Sequence, residues 1–296
     1  MNENKIKRIL VPVDFSETSD TATANAVILA KQLKAEIFLL TVIEPNWHPF
    51  ASVMETLATP VTLIDLENAV TKKINELHDQ ISQKLCVKSK VIVSQGRVHT
   101  EIINYAEKKK IDLIVMGTHG VSGYNDLFIG SITKRVVTLS TIPVLTMQKR
   151  CNKPDFKNIL IPIDNSMHSR EKVNMAIIFA KLFSSNIHII ARPDSKDPLE
   201  LNKFRTKIES VEEHLTSANI PYQTTRVQGE NLAQSAIYYA AKNKIDLIII
   251  NTGHESKITG FLLGTFAQQM VNHSKIPVLS IKHTLTHYRA DAPGIT

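Results

Sequence analysis

The sequence contains one pattern twice. Lys7 to Ile43, KRILVPVDFSETSDTATANAVILAKQLKAEIFLLTVI, returns as Lys157 to Pro193, KNILIPIDNSMHSREKVNMAIIFAKLFSSNIHIIARP. At this shift of 150 residues (157 − 7), Lys7, Ile9, Leu10, Pro12, Asp14, Ser16, Ser19, Ala26, Ile28, Ala30, Lys31 and Ile37 all recur. Further on, AEKKKIDLIVMGT (106–118) answers AAKNKIDLIIINT (240–252), and TIPVLTM (141–147) answers KIPVLSI (275–281), now at a shift of 134 (240 − 106). The second copy is the shorter one. The missing length lies mostly after its second strand, where EPNWHPFASVMETLATPVTLIDLEN (44–68) faces only DSKDPLE (194–200). A repeat of this length makes each copy a folding unit, and 296 residues is about twice an ordinary ~150-residue domain.

Within a copy, short apolar runs of strand length (RILVPV, EIFLLTV, KVIVS, DLIVMG, PVLTM) alternate with amphipathic segments. Ala22, Ala26, Leu29, Ala30 and Leu33 share one helical face, and the pattern predicts further helices over 66–85 and 98–110. Continuously apolar strands separated by helices mean a parallel sheet covered on both faces. The expected fold is therefore α/β: two tandem open, mostly parallel five-stranded sheets with helices on both faces. The expected domains are 1–149 and 156–283, divided at KRCNKPDF (149–156), with a loose tail at 284–296.

Charge and cysteine content narrow the function classes. The net charge of +7 is spread as +3 up to Arg150 (18 Lys+Arg against 15 Asp+Glu) and +4 after it (17 against 13). EKKK at 107–110 and QKR at 148–150 are the densest basic tracts, and 6% of residues are aromatic, so a nucleic-acid footprint is not expected. Cys86 and Cys151 form no CxxC, which fits a reducing compartment. MNENKIKRILVPVDF lacks the apolar stretch of a secretion signal, and no window approaches the ~18 apolar residues of a membrane span. The expected location is the cytoplasm, with no membrane contact. The histidines show no HExxH or paired metal spacing, neither cysteine has a nucleophile context, and no G-x-S-x-G elbow occurs. No catalytic or metal-ligating residues are assigned.

Four of the chain's 10 glycines fall between Val115 and Thr133, in VMGTHGVSGYNDLFIGSIT. Gly117, Gly120 and Gly130 are the spaced set, and Gly123 reads as a loop residue. A glycine loop feeding a helix start makes an anion site, since backbone N–H groups and the helix dipole both favour negative charge there. Gly130 and Ser131 would supply those groups to phosphate oxygens at the start of SITKRVVTL. Asp14, at the end of the first strand, would then contact a ribose hydroxyl or hold a metal ion on the phosphates. Spacing alone serves another account equally well: Gly117 ends a strand, Gly120 makes a turn and Gly130 precedes a helix. The stretch is neither a P-loop nor a GxGxxG fingerprint.

The pattern G-x-x-G-x9-G-[ST], with P-x-D at the end of the first strand, resembles the universal stress protein family in its tandem form. The resemblance spans about 5–148 and 156–282. It implies a Rossmann-like, adenine nucleotide alpha hydrolase-like fold. It also implies that ATP or another adenine nucleotide is the ligand, with Mg2+ as a candidate companion, and no defined catalytic reaction. By the family pattern Pro12, Asp14 and Phe15 line the first loop, and Val42 meets the adenine through its backbone. Met116, Gly117, His119 and Gly120 border the ribose and phosphates, and Gly130, Ser131 and Thr133 hold the phosphates. His119 reads equally well as an ordinary loop histidine. The family's last strands pair between domains, so the two copies are expected to pair as a built-in dimer.

Copy two departs from the motif. Gly117, Gly120 and Gly123 become Asn251, His254 and Lys257, while Pro162, Asp164 and Gly264-Thr265 remain. Side chains at the close-approach positions would crowd a triphosphate, so copy two is expected to have lost the nucleotide. His254 and Lys257 suit either a different anion site or a solvated loop. Trp47, His48 and Phe50 in the long insertion suit a lid or a packing surface. Three readings stand: a cytoplasmic stress-response or regulatory protein with one ATP site in copy one; a slow ATPase or nucleotidyl-transfer enzyme; a partner-binding scaffold without nucleotide. Against the enzyme, copy one supplies only Lys134 and Arg135 just past the motif. A homo-oligomer and an unidentified protein partner remain open.

Overall fold

The computed structural model describes residues 6–44, 63–120, 129–148, 155–165, 170–227, 231–252 and 263–282. Trp47, His48, Phe50, Gly123, Cys151, His254, Lys257 and the 284–296 tail lie outside them, as does most of the 149–156 boundary. Copy one runs β1 (Arg8–Pro12), α1 (Glu17–Leu33), β2 (Glu36–Ile43), α2 (Leu63–Asp79), β3 (Ser89–Gln95), α3 (Val98–Lys108), β4 (Leu113–Gly117), α4 (Ser131–Leu139) and β5 (Val144–Met147). Copy two repeats it: β6 (Asn158–Ile163), α5 (Arg170–Phe183), β7 (Asn186–Ala191), α6 (Pro198–Ser217), β8 (Tyr222–Arg226), α7 (Leu232–Lys242), β9 (Leu247–Asn251), α8 (Thr265–His273) and β10 (Val278–Ile281). The helix expected over 66–85 begins at Leu63 and ends in a π turn, Gln80–Lys84. The one expected over 98–110 stops at Lys108.

Local chemistry sets the helix ends. Ser16 caps α1 by accepting from Ser19 N, and Asp197 caps α6 with Pro198 in its first turn. Asn231 caps α7 in the same way. The duplication extends to backbone exceptions: Lys34 and Ser184 both take positive φ after the first helix of their copy, and Lys110 and Lys244 do so after the third.

Strand order is β3-β2-β1-β4-β5-β10-β9-β6-β7-β8, one continuous ten-stranded sheet. Every pairing inside a copy is parallel, and the join between β5 and β10 is antiparallel. The two five-stranded sheets thus cover each other's edges, which would otherwise expose unpaired backbone groups. At the join Leu145 opposes Leu279, both fully buried. Thr146 Oγ1 donates to Val278 O at 3.1 Å, Gln148 Nε2 to Ser274 O at 2.8 Å and Lys282 Nζ to Leu139 O at 3.2 Å. Two apolar layers sandwich the sheet, one carrying α1, α2, α5 and α6, the other α3, α4, α7 and α8.

One buried polar cluster interrupts the copy-two core. His188, the counterpart of Phe38, is 4% exposed. Its Nδ1 lies 3.1 Å from Tyr239 Oη and 2.7 Å from Gln223 Nε2, and its Nε2 lies 3.3 Å from Asn158 Oδ1. Burial pushes its imidazole below the usual 6.5, opposed in part by Asp246. The unfolded chain therefore takes up this proton first as pH falls through 6.5, and stability declines in that window. His188→Phe, which copies Phe38, is expected to lose less stability than the wild type between pH 7.5 and 5.5. Urea unfolding at both pH values measures the difference, and equal losses would remove the assignment.

Candidate functional site

In open parallel sheets ligands bind beyond the carboxyl ends of the strands, where the strand order reverses. In copy one that point lies between β1 and β4. A cleft of about 790 Å³, counting the space at its mouth, opens there. Pro12, Asp14, Val42, Met116, Gly117, His119, Gly120, Gly130, Ser131 and Thr133 all line it. Phe15 does not. It takes φ 62°, packs beside Ile43 and Val70, and has Lys73 Nζ 4.7 Å above its ring.

The cleft has a polar and an apolar end. Asp14 accepts from Ser16 N at 3.0 Å and from Ser16 Oγ at 2.6 Å through Oδ1, while its own N–H donates to Ser19 Oγ. Its other oxygen, Oδ2, stands beside Gly120. Ser19 and Val13 also border the cleft, and Leu40, Val98, Ile102 and Ile132 add an apolar wall. The wall was not read from the sequence, because the side chains at 98 and 102 reach the cleft only through the packing of α3 on the sheet. The available signal was their i, i+4 spacing at a helix start.

Three glycines with one spacing have three different surroundings. A Cβ on Gly117 would come within 2.9 Å of the backbone and side chain of Thr18, in the first turn of α1. One on Gly120 would meet Asp14 Oδ2 at 2.6 Å. One on Gly130 would meet nothing nearer, among the described residues, than Thr118 O at 3.4 Å, an ordinary contact. Backbone packing accounts for Gly117, only the tip of the Asp14 side chain crowds Gly120, and Gly130 has no intrachain reason among the described residues. Gly130 is also the N-cap of α4 and brings no side-chain acceptor, unlike Ser16, Asp197 and Asn231. The first-turn N–H groups of α4 are thus left without a side-chain cap. Thr133 Oγ1 donates to Gly117 O at 2.9 Å, so its hydroxyl ties α4 to β4. Ser131 is exposed, as are Lys134 and Arg135, and those two cations do not border the cleft.

His119 Nδ1 lies 3.0 Å from Thr118 Oγ1, and its carbonyl accepts from Thr18 Oγ1. Its Nε2 is buried without a partner among the described residues.

In copy two the residues around the equivalent strand ends differ. Arg192 stands at the Val42 position and pairs with Asp194 at 2.6 Å. Lys172 replaces Ala22: it is 3% exposed, its Nζ donates to Pro162 O, and burial pushes its ammonium down to about 8. Lys207, the counterpart of Lys73, donates to Asp164 O at 2.7 Å. Asn165 and Asp194 exchange hydrogen bonds at 3.3 and 3.1 Å, closing the β6 and β7 loops on each other. Asn251 replaces Gly117, with both polar side-chain atoms buried and unpartnered among the described residues.

A model of the universal stress protein family matches residues 5–148 and again residues 155–282. The chain belongs to the universal stress protein family. It carries that unit in tandem, in agreement with the motif spacing and the duplication. Universal stress protein MJ0531 of Methanocaldococcus jannaschii is 31% identical over 151 residues, covering 50% of this chain and 85% of its own length. Universal stress protein YxiE of Bacillus subtilis is 32% identical over 145 residues, 48% of this chain and 98% of its own. Each therefore corresponds to about one copy. A universal stress protein from Archaeoglobus fulgidus matches the whole tandem fold, with TM-score 0.71 and 19% identity over 94% of this chain and 97% of its own. No helix among the described residues is long and apolar enough to cross a membrane.

Proposed function

We propose that this universal stress protein binds one adenine nucleotide, ATP, in copy one, and that it acts as a cytoplasmic regulatory protein whose second copy has given up its own nucleotide. The uncapped start of α4 beside Gly130, at the edge of the cleft, is the observation that carries this reading. The helix dipole and the first-turn N–H groups favour a phosphate there. The apolar wall of Leu40, Val42, Val98 and Ile102 suits the flat face of a base. Asp14 is the one carboxylate among the described lining residues. Mg2+ would arrive on the phosphates and find in Asp14 Oδ2 one candidate protein ligand among the described residues. With Oδ1 spent on Ser16, Asp14 is held as a binding group, which favours binding over hydrolysis.

In copy two, Arg192 stands at the Val42 position and Asn251 at the Gly117 position, and these larger side chains count against the same ligand. Bound ATP stabilises the folded state by RT ln(1 + [L]/Kd), about 2.7 kcal/mol at a hundredfold excess over Kd. Thermal unfolding with rising ATP should therefore show a concentration-dependent increase in Tm. A Tm indifferent to ATP, ADP and AMP at millimolar levels would remove the proposal.

A further inference from the structure

We propose that copy two fixes the tautomer of His119 through the relay Ser274–Gln148–Thr118, so that neutral His119 offers its ligand an acceptor nitrogen and contacts a sugar hydroxyl, not a phosphate. The ligand half rests on the nucleotide reading above. The relay half rests on hydrogen-bond directions alone.

The relay starts at a group with one possible role. The carbonyl of Ser274, after α8, can only accept, and Gln148 Nε2 donates to it at 2.8 Å. Turning the amide over would set Gln148 Oε1 against that carbonyl oxygen, so copy two holds Oε1 towards copy one. Oε1 lies 3.0 Å from Thr118 Oγ1. The threonine hydroxyl has one proton, and its two acceptors are Gln148 Oε1 at 3.0 Å and Met147 O at 3.4 Å. If His119 Nδ1, 3.0 Å away, took that proton instead, Oγ1 would face Gln148 Oε1 at 3.0 Å as acceptor against acceptor. Nδ1 must therefore carry its own hydrogen and donate to Thr118. In the neutral ring the lone pair then sits on Nε2.

That nitrogen is buried, belongs to a residue bordering the cleft, and has no partner among the described residues. A phosphate oxygen set against it would be acceptor facing acceptor. A sugar hydroxyl would donate to it. Asp14, also an acceptor, stands beside Gly120 in the same cleft, whereas the donors lie at the start of α4. The cleft thus sorts hydroxyls from phosphates by the direction of its hydrogen bonds.

The device runs one way. The counterpart of Gln148 is Lys282, whose Nζ donates to Leu139 O at 3.2 Å. A lysine cannot accept, so it cannot pass on the directional constraint that Gln148 does. Thr252, the counterpart of Thr118, turns its hydroxyl to Ile281 O at 3.4 Å.

Long-range 1H–15N correlation spectra of the ligand-free, 15N-histidine-labelled chain, taken above the imidazole titration range, report the tautomer directly. His119→Gln assigns the signal. The expected result is an Nδ1–H ring in the wild type, a shift to Nε2–H in Thr118→Val, and a mixture in Gln148→Leu, which cuts the link to copy two. An Nε2–H ring in the wild type, or an Nδ1–H signal unmoved by both substitutions, overturns the relay. If Thr118→Val does not fold, Gln148→Leu decides.

For the ligand, binding of ATP is compared with 2′-deoxy-ATP and 3′-deoxy-ATP. One deoxy analogue should bind roughly 10-fold more weakly, as for one lost hydrogen bond, and His119→Leu should reduce that gap to about 2-fold. Equal binding of all three to the wild type overturns the hydroxyl contact. Failure to bind any of them removes the nucleotide reading and the ligand half together, while the spectra still decide the relay.

Discussion

Gly130→Val is expected to weaken ATP binding by roughly 100-fold or more while the fold stands. A branched side chain at the N-cap of α4 covers the first-turn N–H groups, and hydrogen bonds to a charged partner contribute ~1.5–3 kcal/mol each. Losing one or two accounts for that factor. The fold has little reason to object. Backbone at Gly130 has φ −60° and ψ 148°, open to any residue, and among the described residues a Cβ meets nothing nearer than Thr118 O at 3.4 Å. Valine is a poorer N-cap than glycine, by at most about 1 kcal/mol. Calorimetric titration gives the affinity and thermal unfolding the stability. Unchanged affinity would show that the phosphates lie elsewhere.

Gly117→Val should do the reverse, striking the fold first. Its Cβ would press on the Thr18 backbone carbon at 2.9 Å, which cannot swing aside as a side-chain tip could. Either α1 lifts from β4 or β4 shifts in the sheet, and overpacking of this kind costs ~1–3 kcal/mol. For copies of this size that is a fall in Tm of roughly 3–10 °C without ligand. A Tm within about a degree of the wild type would mean that the start of α1 yields freely. The two glycines share a motif and differ in purpose, and the pair of variants separates the purposes.

How much of this was legible in the sequence follows from which interactions are periodic. The strands, the duplication and the parallel order were legible because period and connection length encode them. Ten of the eleven residues named from the motif meet in one cleft, since strand ends converge there in any such sheet. The family pattern puts Phe15 in the first loop with Asp14, but its positive φ turns its ring to α2. Spacing could not tell a glycine that admits a ligand from one that admits a helix, because both need the same missing Cβ. The same limit hid the hydroxyl of Thr133, spent on Gly117 O. In copy two the motif spacing exposes only the lost glycines. A further departure, Arg192 for Val42, is plain at the 150-residue shift once the cleft shows that Val42 borders it.

The central claim is an asymmetry: one copy keeps the nucleotide and its twin does not. Nucleotide bound per chain at saturation tests it most directly, by calorimetric titration of the full chain with ATP. The account predicts about one nucleotide per chain, abolished by Gly130→Val. Two equal sites per chain would contradict it, since Arg192 and Asn251 would then not close the second cleft.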